Sequence, residues 1–65
     1  MPDDLLTAMV SSRSVSEHYD AIMAARLSNE AIAEGLHALD LFNKRGSMVE
    51  GQQKLVDWYR KYSGG

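Results

Sequence analysis

The sequence predicts an all-α fold, a small bundle of three to four short amphipathic helices, and three observations lead to it. The one proline is at position 2, so no proline interrupts the body of the chain. Apolar residues recur at intervals of three and four rather than alternating as in a half-buried strand. Serines stand ahead of the apolar runs, where a hydroxyl caps a helix N-terminus, and no turn cluster suited to a hairpin separates those runs.

Asp3 or Asp4 can cap a first helix whose Leu5, Leu6, Met9 and Val10 share one face, and the run Ser11-Ser12-Arg13-Ser14 ends it, because serines compete for backbone hydrogen bonds. Ser14-Val15-Ser16-Glu17 has the form of a capping box and opens a second helix with Val15, Tyr19, Ile22, Met23 and Leu27 inward. Ser28-Asn29-Glu30 is a fresh start signal, a cap followed by an acid at the positive end of the helix dipole. A turn is expected there rather than one very long helix. The third helix carries Ile32, Leu36, Leu39 and Phe42 on one face and stops at Asn43-Lys44-Arg45-Gly46, where glycine is available for the left-handed conformation. Ser47-Met48-Val49-Glu50 reads as another capping box, opening a last helix with Val49, Leu55, Val56, Tyr59 and Tyr62 inward and Trp58 beside them. The expected helices cover 4–12, 15–27, 29–45 and 48–62, giving one helical domain over 1–62 and a frayed Ser63-Gly64-Gly65 tail.

Composition narrows the function classes. With 45% hydrophobic and 25% charged residues the chain is a globular protein, but 65 residues bury only about 60% of the unfolded surface, which leaves little room for a deep substrate cavity. The absence of cysteine excludes a disulfide scaffold, a thiol nucleophile and a thiolate metal site. No apolar run reaches the roughly 20 residues that span a bilayer. Met1-Pro2-Asp3-Asp4 is acidic where a signal peptide is basic, so a cytoplasmic location is expected. The net charge of −2 is unevenly spread. Residues 1–43 carry Arg13 and Arg26 against Asp3, Asp4, Glu17, Asp20, Glu30, Glu34 and Asp40, a balance of −5, whereas 44–65 carry Lys44, Arg45, Lys54, Arg60 and Lys61 against Glu50 and Asp57, a balance of +3. The two halves either pair with each other or offer a basic end to an acidic partner.

No serine stands in a nucleophile context, and the two histidines, His18 and His37, fall on different helices, so no catalytic residue, cofactor site or metal site is assigned. Glu34-Gly35-Leu36-His37 puts a carboxylate and an imidazole one turn apart, as in di-iron bundles, but such a site needs matching ligands from facing helices; the simpler reading is a solvated face. Trp58, Tyr59 and Tyr62 interleave with Lys54, Arg60 and Lys61, a pattern that serves either to stack on bases and grip phosphates or to close a small core beneath a basic outer face.

Arg26-Leu27-Ser28-Asn29-Glu30-Ala31-Ile32-Ala33-Glu34-Gly35-Leu36 resembles the scaffold half of a LuxR-type helix-turn-helix, and that resemblance implies a nucleic-acid-binding regulator using residues 28–62. The recognition helix that the family places next has no counterpart, since His37-Ala38-Leu39-Asp40-Leu41-Phe42 is apolar and acidic where bases should be read. A fainter likeness, in Arg26-Leu27 and in Gly46 through Tyr62, is to the small antitoxins that inhibit Fic-type AMP-transferases. The inhibitory Ser-x-x-x-Glu-Gly of that family falls on Ala24 to Asn29, with alanine for the serine and Ser28 for the glutamate. The expectation adopted is a non-enzymatic protein-binding module, a regulator or inhibitor of antitoxin, phage-type or chaperone-like kind that covers a surface of a target protein. Because Leu41 and Trp58 fall off the main stripes of their helices, the expected contact residues are Leu41, Lys54, Trp58, Tyr59, Arg60, Lys61 and Tyr62. A homodimer or an obligate complex is expected to cover them.

Overall fold

A computed structural model describes residues 3–62, and among them it shows four helices and no strand: α1 Asp3–Ser12, α2 Val15–Ala24, α3 Asn29–Phe42 and α4 Met48–Tyr62. The all-helical expectation therefore holds; the expected tail at 63–65 lies outside the described residues. The Cα radius of gyration, 10.7 Å, is what about 2.2·N^0.38 gives for a packed chain of this length, so no helix stands away from the rest.

The helix starts are set locally and mostly as expected. The Ser14 hydroxyl accepts from the Glu17 amide at 3.2 Å, and the Ser14 amide donates to the Glu17 carboxylate at 2.9 Å, completing the capping box. That backbone hydrogen bond is the main reason the Glu17 carboxyl titrates below its ordinary range. Ser28 caps α3 by accepting from the Ala31 amide at 3.2 Å, which settles the turn between the second and third helices. Ser11 and Ser12 turn their hydroxyls back to the carbonyls of Ala8 and Met9, both at 3.2 Å, so α1 ends where serines accumulate.

Three boundaries differ from the sequence reading. α1 already begins at Asp3, so Asp3 and Asp4 occupy its first turn rather than capping it. α2 stops at Ala24, short of Leu27, because Arg26 takes the left-handed conformation at φ 55° that glycine usually supplies beyond a helix end. α3 stops at Phe42, with Asn43 as its C-cap; Gly46, at φ 96°, turns the linking loop instead of closing the helix. The Ser47 hydroxyl donates to the Leu41 carbonyl at 3.0 Å, so it satisfies the end of α3 instead of capping α4. Relieving the strain at Arg26 is expected to stabilise the fold. Arg26→Gly should add about 0.5–1 kcal/mol and raise the melting temperature by about 3–8 °C, read from a thermal melt. A lower melting temperature would show that the arginine side chain contributes more than its backbone costs.

α3 lies chiefly against α4, with α1 packed on α4 and α2 on α3. The core holds Leu6 and Val10 of α1, Ile22 of α2, Ala38 and Leu39 of α3, and Leu55, Val56, Trp58 and Tyr59 of α4. α3 is rotated relative to the expected stripe. Ala31, Gly35, Ala38 and Leu39 are buried, while Ile32, Leu36 and Phe42 only flank the core. Small residues on that buried line let α4 approach closely. A Cβ built on Gly35 would come within 2.8 Å of the Trp58 ring, and one on Gly51 would overlap the backbone nitrogen and Cα of Phe42.

Candidate functional site

The most versatile polar side chain of α2 is inside the protein. His18 is fully buried and joins all four helices: Nε2 bonds the Val10 carbonyl of α1 at 2.8 Å, Nδ1 bonds the Tyr59 hydroxyl of α4 at 2.8 Å, and the ring meets Phe42 of α3 edge-on at 5.7 Å. A carbonyl only accepts, so Nε2 carries a proton and donates it. Burial pushes the Tyr59 hydroxyl above its ordinary pKa. Among the described residues no buried side-chain nitrogen or oxygen lacks a partner, so this network is a complete structural clasp. The sequence stripe of α2 left His18 out of the core, and its burial explains a second departure. With His18 and Ile22 inward, Tyr19 and Met23 are turned out and are 48% and 44% exposed.

The expected contact residues divide in the same way. Trp58 and Tyr59 are 2% and 6% exposed, so neither ring is on the surface of this fold. Trp58 donates its indole N–H to the Ala31 carbonyl at 2.8 Å and meets Tyr59 edge-on at 5.1 Å. Leu41 and Tyr62 are half-buried, while Lys54, Arg60 and Lys61 are exposed. The surplus apolar surface lies elsewhere, on Leu5, Tyr19, Met23, Met48 and Val49. Val49, assigned inward from the sequence, is 84% exposed, because Gly51, two residues on and so on the opposite side of the helix, is the residue that α4 buries against the end of α3. Such residues escape pattern reading, since Met48 shares a stripe with the buried Leu55 at i, i+7 and is nonetheless exposed.

Between α3 and α4 lies a cleft of about 230 Å³ lined by Glu34, His37, Ala38, Lys54, Asp57, Trp58 and Lys61. Glu34 accepts from the Tyr62 hydroxyl at 3.3 Å and pairs with Lys61 at 3.8 Å. The Lys61 ammonium titrates above its ordinary range, first through Tyr62 and then through the Glu34 charge. Asp57 accepts from Gln53 at 3.1 Å and from Arg60 at 3.2 Å. The Glu34 and His37 pair does lie at this cleft, but among the described residues no group of three or more His, Asp or Glu side chains could hold a metal ion.

No protein-family profile, curated protein or solved structure matches the chain. The two sequence likenesses therefore stand on their own motifs. α3 runs unbroken through Gly35-Leu36-His37, where a LuxR-type scaffold would turn into its recognition helix, and Gly35 is buried against Trp58. Ala24 to Asn29, the span matched to the antitoxin motif, runs from the last residue of α2 through the turn to the first residue of α3. No helix of the described residues is long and apolar enough to cross a membrane.

Proposed function

We propose that this protein is a non-enzymatic helical binding module that regulates or inhibits a target protein by covering part of its surface. The observation that supports this is the set of large apolar side chains left exposed, Leu5, Tyr19, Met23, Met48 and Val49, on a fold whose buried polar groups are engaged in holding the helices together. Single exposed apolar residues are ordinary, but Tyr19 and Met23 lie one helical turn apart on the same α2 face, and an aromatic next to a methionine is a common anchor in helix-mediated recognition. Target binding is the main reading and self-association its alternative, in which a second copy covers the same residues.

Affinity capture with the parent chain and with a Tyr19→Glu, Met23→Glu double variant tests the proposal. A specific protein retained by the parent should be lost from the variant by about 30-fold or more, corresponding to roughly 2 kcal/mol, while far-ultraviolet circular dichroism is unchanged. Self-association would instead give a melting temperature that rises with concentration. A 7.2 kDa monomer at every concentration, with no protein retained by either form, would overturn the binding-module reading.

A further inference from the structure

We propose that the cleft between α3 and α4 takes the carboxylate of one acidic side chain from a protein partner, with His37, Lys54 and Lys61 as its donors. This rests on the binding-module reading and adds a chemical requirement to it. At about 230 Å³ the cleft is smaller than the roughly 300–1,000 Å³ of pockets that enclose a free small molecule, which suits it to a single side chain. Its floor is apolar, made by Ala38 and the Trp58 ring, each 2% exposed, and suits the methylene stem of a glutamate.

The rim decides the charge of the guest. Both acids on it already have donors: Glu34 is held by Tyr62 and Lys61, and Asp57 by Gln53 and Arg60. Lys54 and His37 face the cleft from α4 and α3 and, among the described residues, have neither an ion-pair nor a hydrogen-bond partner. Lys61 pairs with Glu34 at 3.8 Å and lies over the Tyr62 ring at 5.1 Å, and an ammonium with three donors can turn one to a second acceptor. With Glu34 paired to Lys61 and Asp57 to Arg60, Lys54 is the one charged side chain lining the cleft that has no counter-charge, and the unpartnered His37 ring lies on the same rim. Glu34 and Asp57 at the same rim repel an extended polyanion, and the chain as a whole carries −2, so a nucleic-acid backbone is disfavoured where one isolated carboxylate is accepted.

The test is a titration of the full isotope-labelled chain, followed by nuclear magnetic resonance, with a blocked alanine-rich peptide carrying one glutamate and with its glutamine counterpart. Saturable shifts at His37, Lys54 and Lys61 are expected from the glutamate peptide only. They should weaken as salt is raised toward 1 M, where screening shortens to about 3 Å. The exposed Lys54→Glu variant should keep its dichroism and bind the peptide about fivefold more weakly, the upper range for an exposed ion pair. Equal shifts from the glutamine peptide, no shifts at all, or tighter binding of a single-stranded oligonucleotide at these residues would overturn the proposal. Peptide binding without any captured target would sustain the cleft and sink the binding-module reading; a captured target whose binding is indifferent to Lys54→Glu, with no peptide shifts, would do the reverse.

Discussion

Trp58→Ala is expected to unfold the domain or nearly so, with loss of the helical far-ultraviolet signal rather than loss of an association. The indole is 2% exposed, lies against Gly35, contacts Tyr59 and Tyr62 at 5.1 and 5.5 Å between ring centroids, and donates to the Ala31 carbonyl at 2.8 Å. Truncating such a residue removes its transfer free energy and leaves a cavity, together about 3–5 kcal/mol. A domain of this length has about 3–10 kcal/mol in total, so the loss is comparable with everything that holds it folded. Trp58→Phe keeps most of the volume and removes the hydrogen bond, so it should cost about 1–2 kcal/mol and leave a cooperative urea transition. Full helicity in Trp58→Ala together with weakened target binding would place the ring at a contact surface instead.

What the sequence made legible follows from the range of the physics involved. The Ser14 to Glu17 box and the Ser28 cap are contacts within one turn, so residue spacing is enough to find them. The rotation of each helix depends on what it meets. Of the larger apolar stripe of α3, Leu39 is buried while Ile32, Leu36 and Phe42 only flank the core, and the smaller Ala31, Gly35 and Ala38 are buried instead, where the volume of Trp58 has to be accommodated. In α2 a histidine took an inward position that pattern reading reserves for hydrocarbon, and it does so because Val10 and Tyr59, 8 and 41 residues away, supply its partners. Ser47 looks like a cap for the helix that follows it, but the Leu41 carbonyl at the end of α3, six residues earlier, takes the same hydroxyl. The candidate site was legible only in part for the same reason. Lys54 and Lys61 are recognisable as a basic face of α4, whereas the cleft also needs Glu34 and His37 from α3, and only the pairing of the two helices brings them opposite.

Gly51→Ala is expected to destabilise the protein by about 3 kcal/mol or more, against the direction that helix propensity alone would give. In an unobstructed helix the change is favourable by about 1 kcal/mol, since glycine loses the most backbone freedom on folding. At Gly51 the added methyl has no space. It would overlap the Phe42 backbone and lie 2.5 Å from the Leu41 carbonyl carbon, and those atoms belong to the last turn of α3, not to a side chain that can change rotamer. Helices α3 and α4 must then separate, and the separation reaches the Trp58 contact with Gly35 and the Tyr62 and Lys61 contacts with Glu34 on the same interface. Overpacking a core position costs about 1–3 kcal/mol when side chains can yield, and more where only backbone can move. Gly46→Ala is the matched control, because its Cβ meets nothing within 4 Å and only the φ of 96° opposes it, for a cost of about 1 kcal/mol. Urea denaturation of the two variants separates lost space from backbone strain: Gly51→Ala should lower the midpoint far more than Gly46→Ala does. A Gly51→Ala protein as stable as its parent would mean that α4 does not pass against the end of α3, and the cleft between these two helices would then have a different shape.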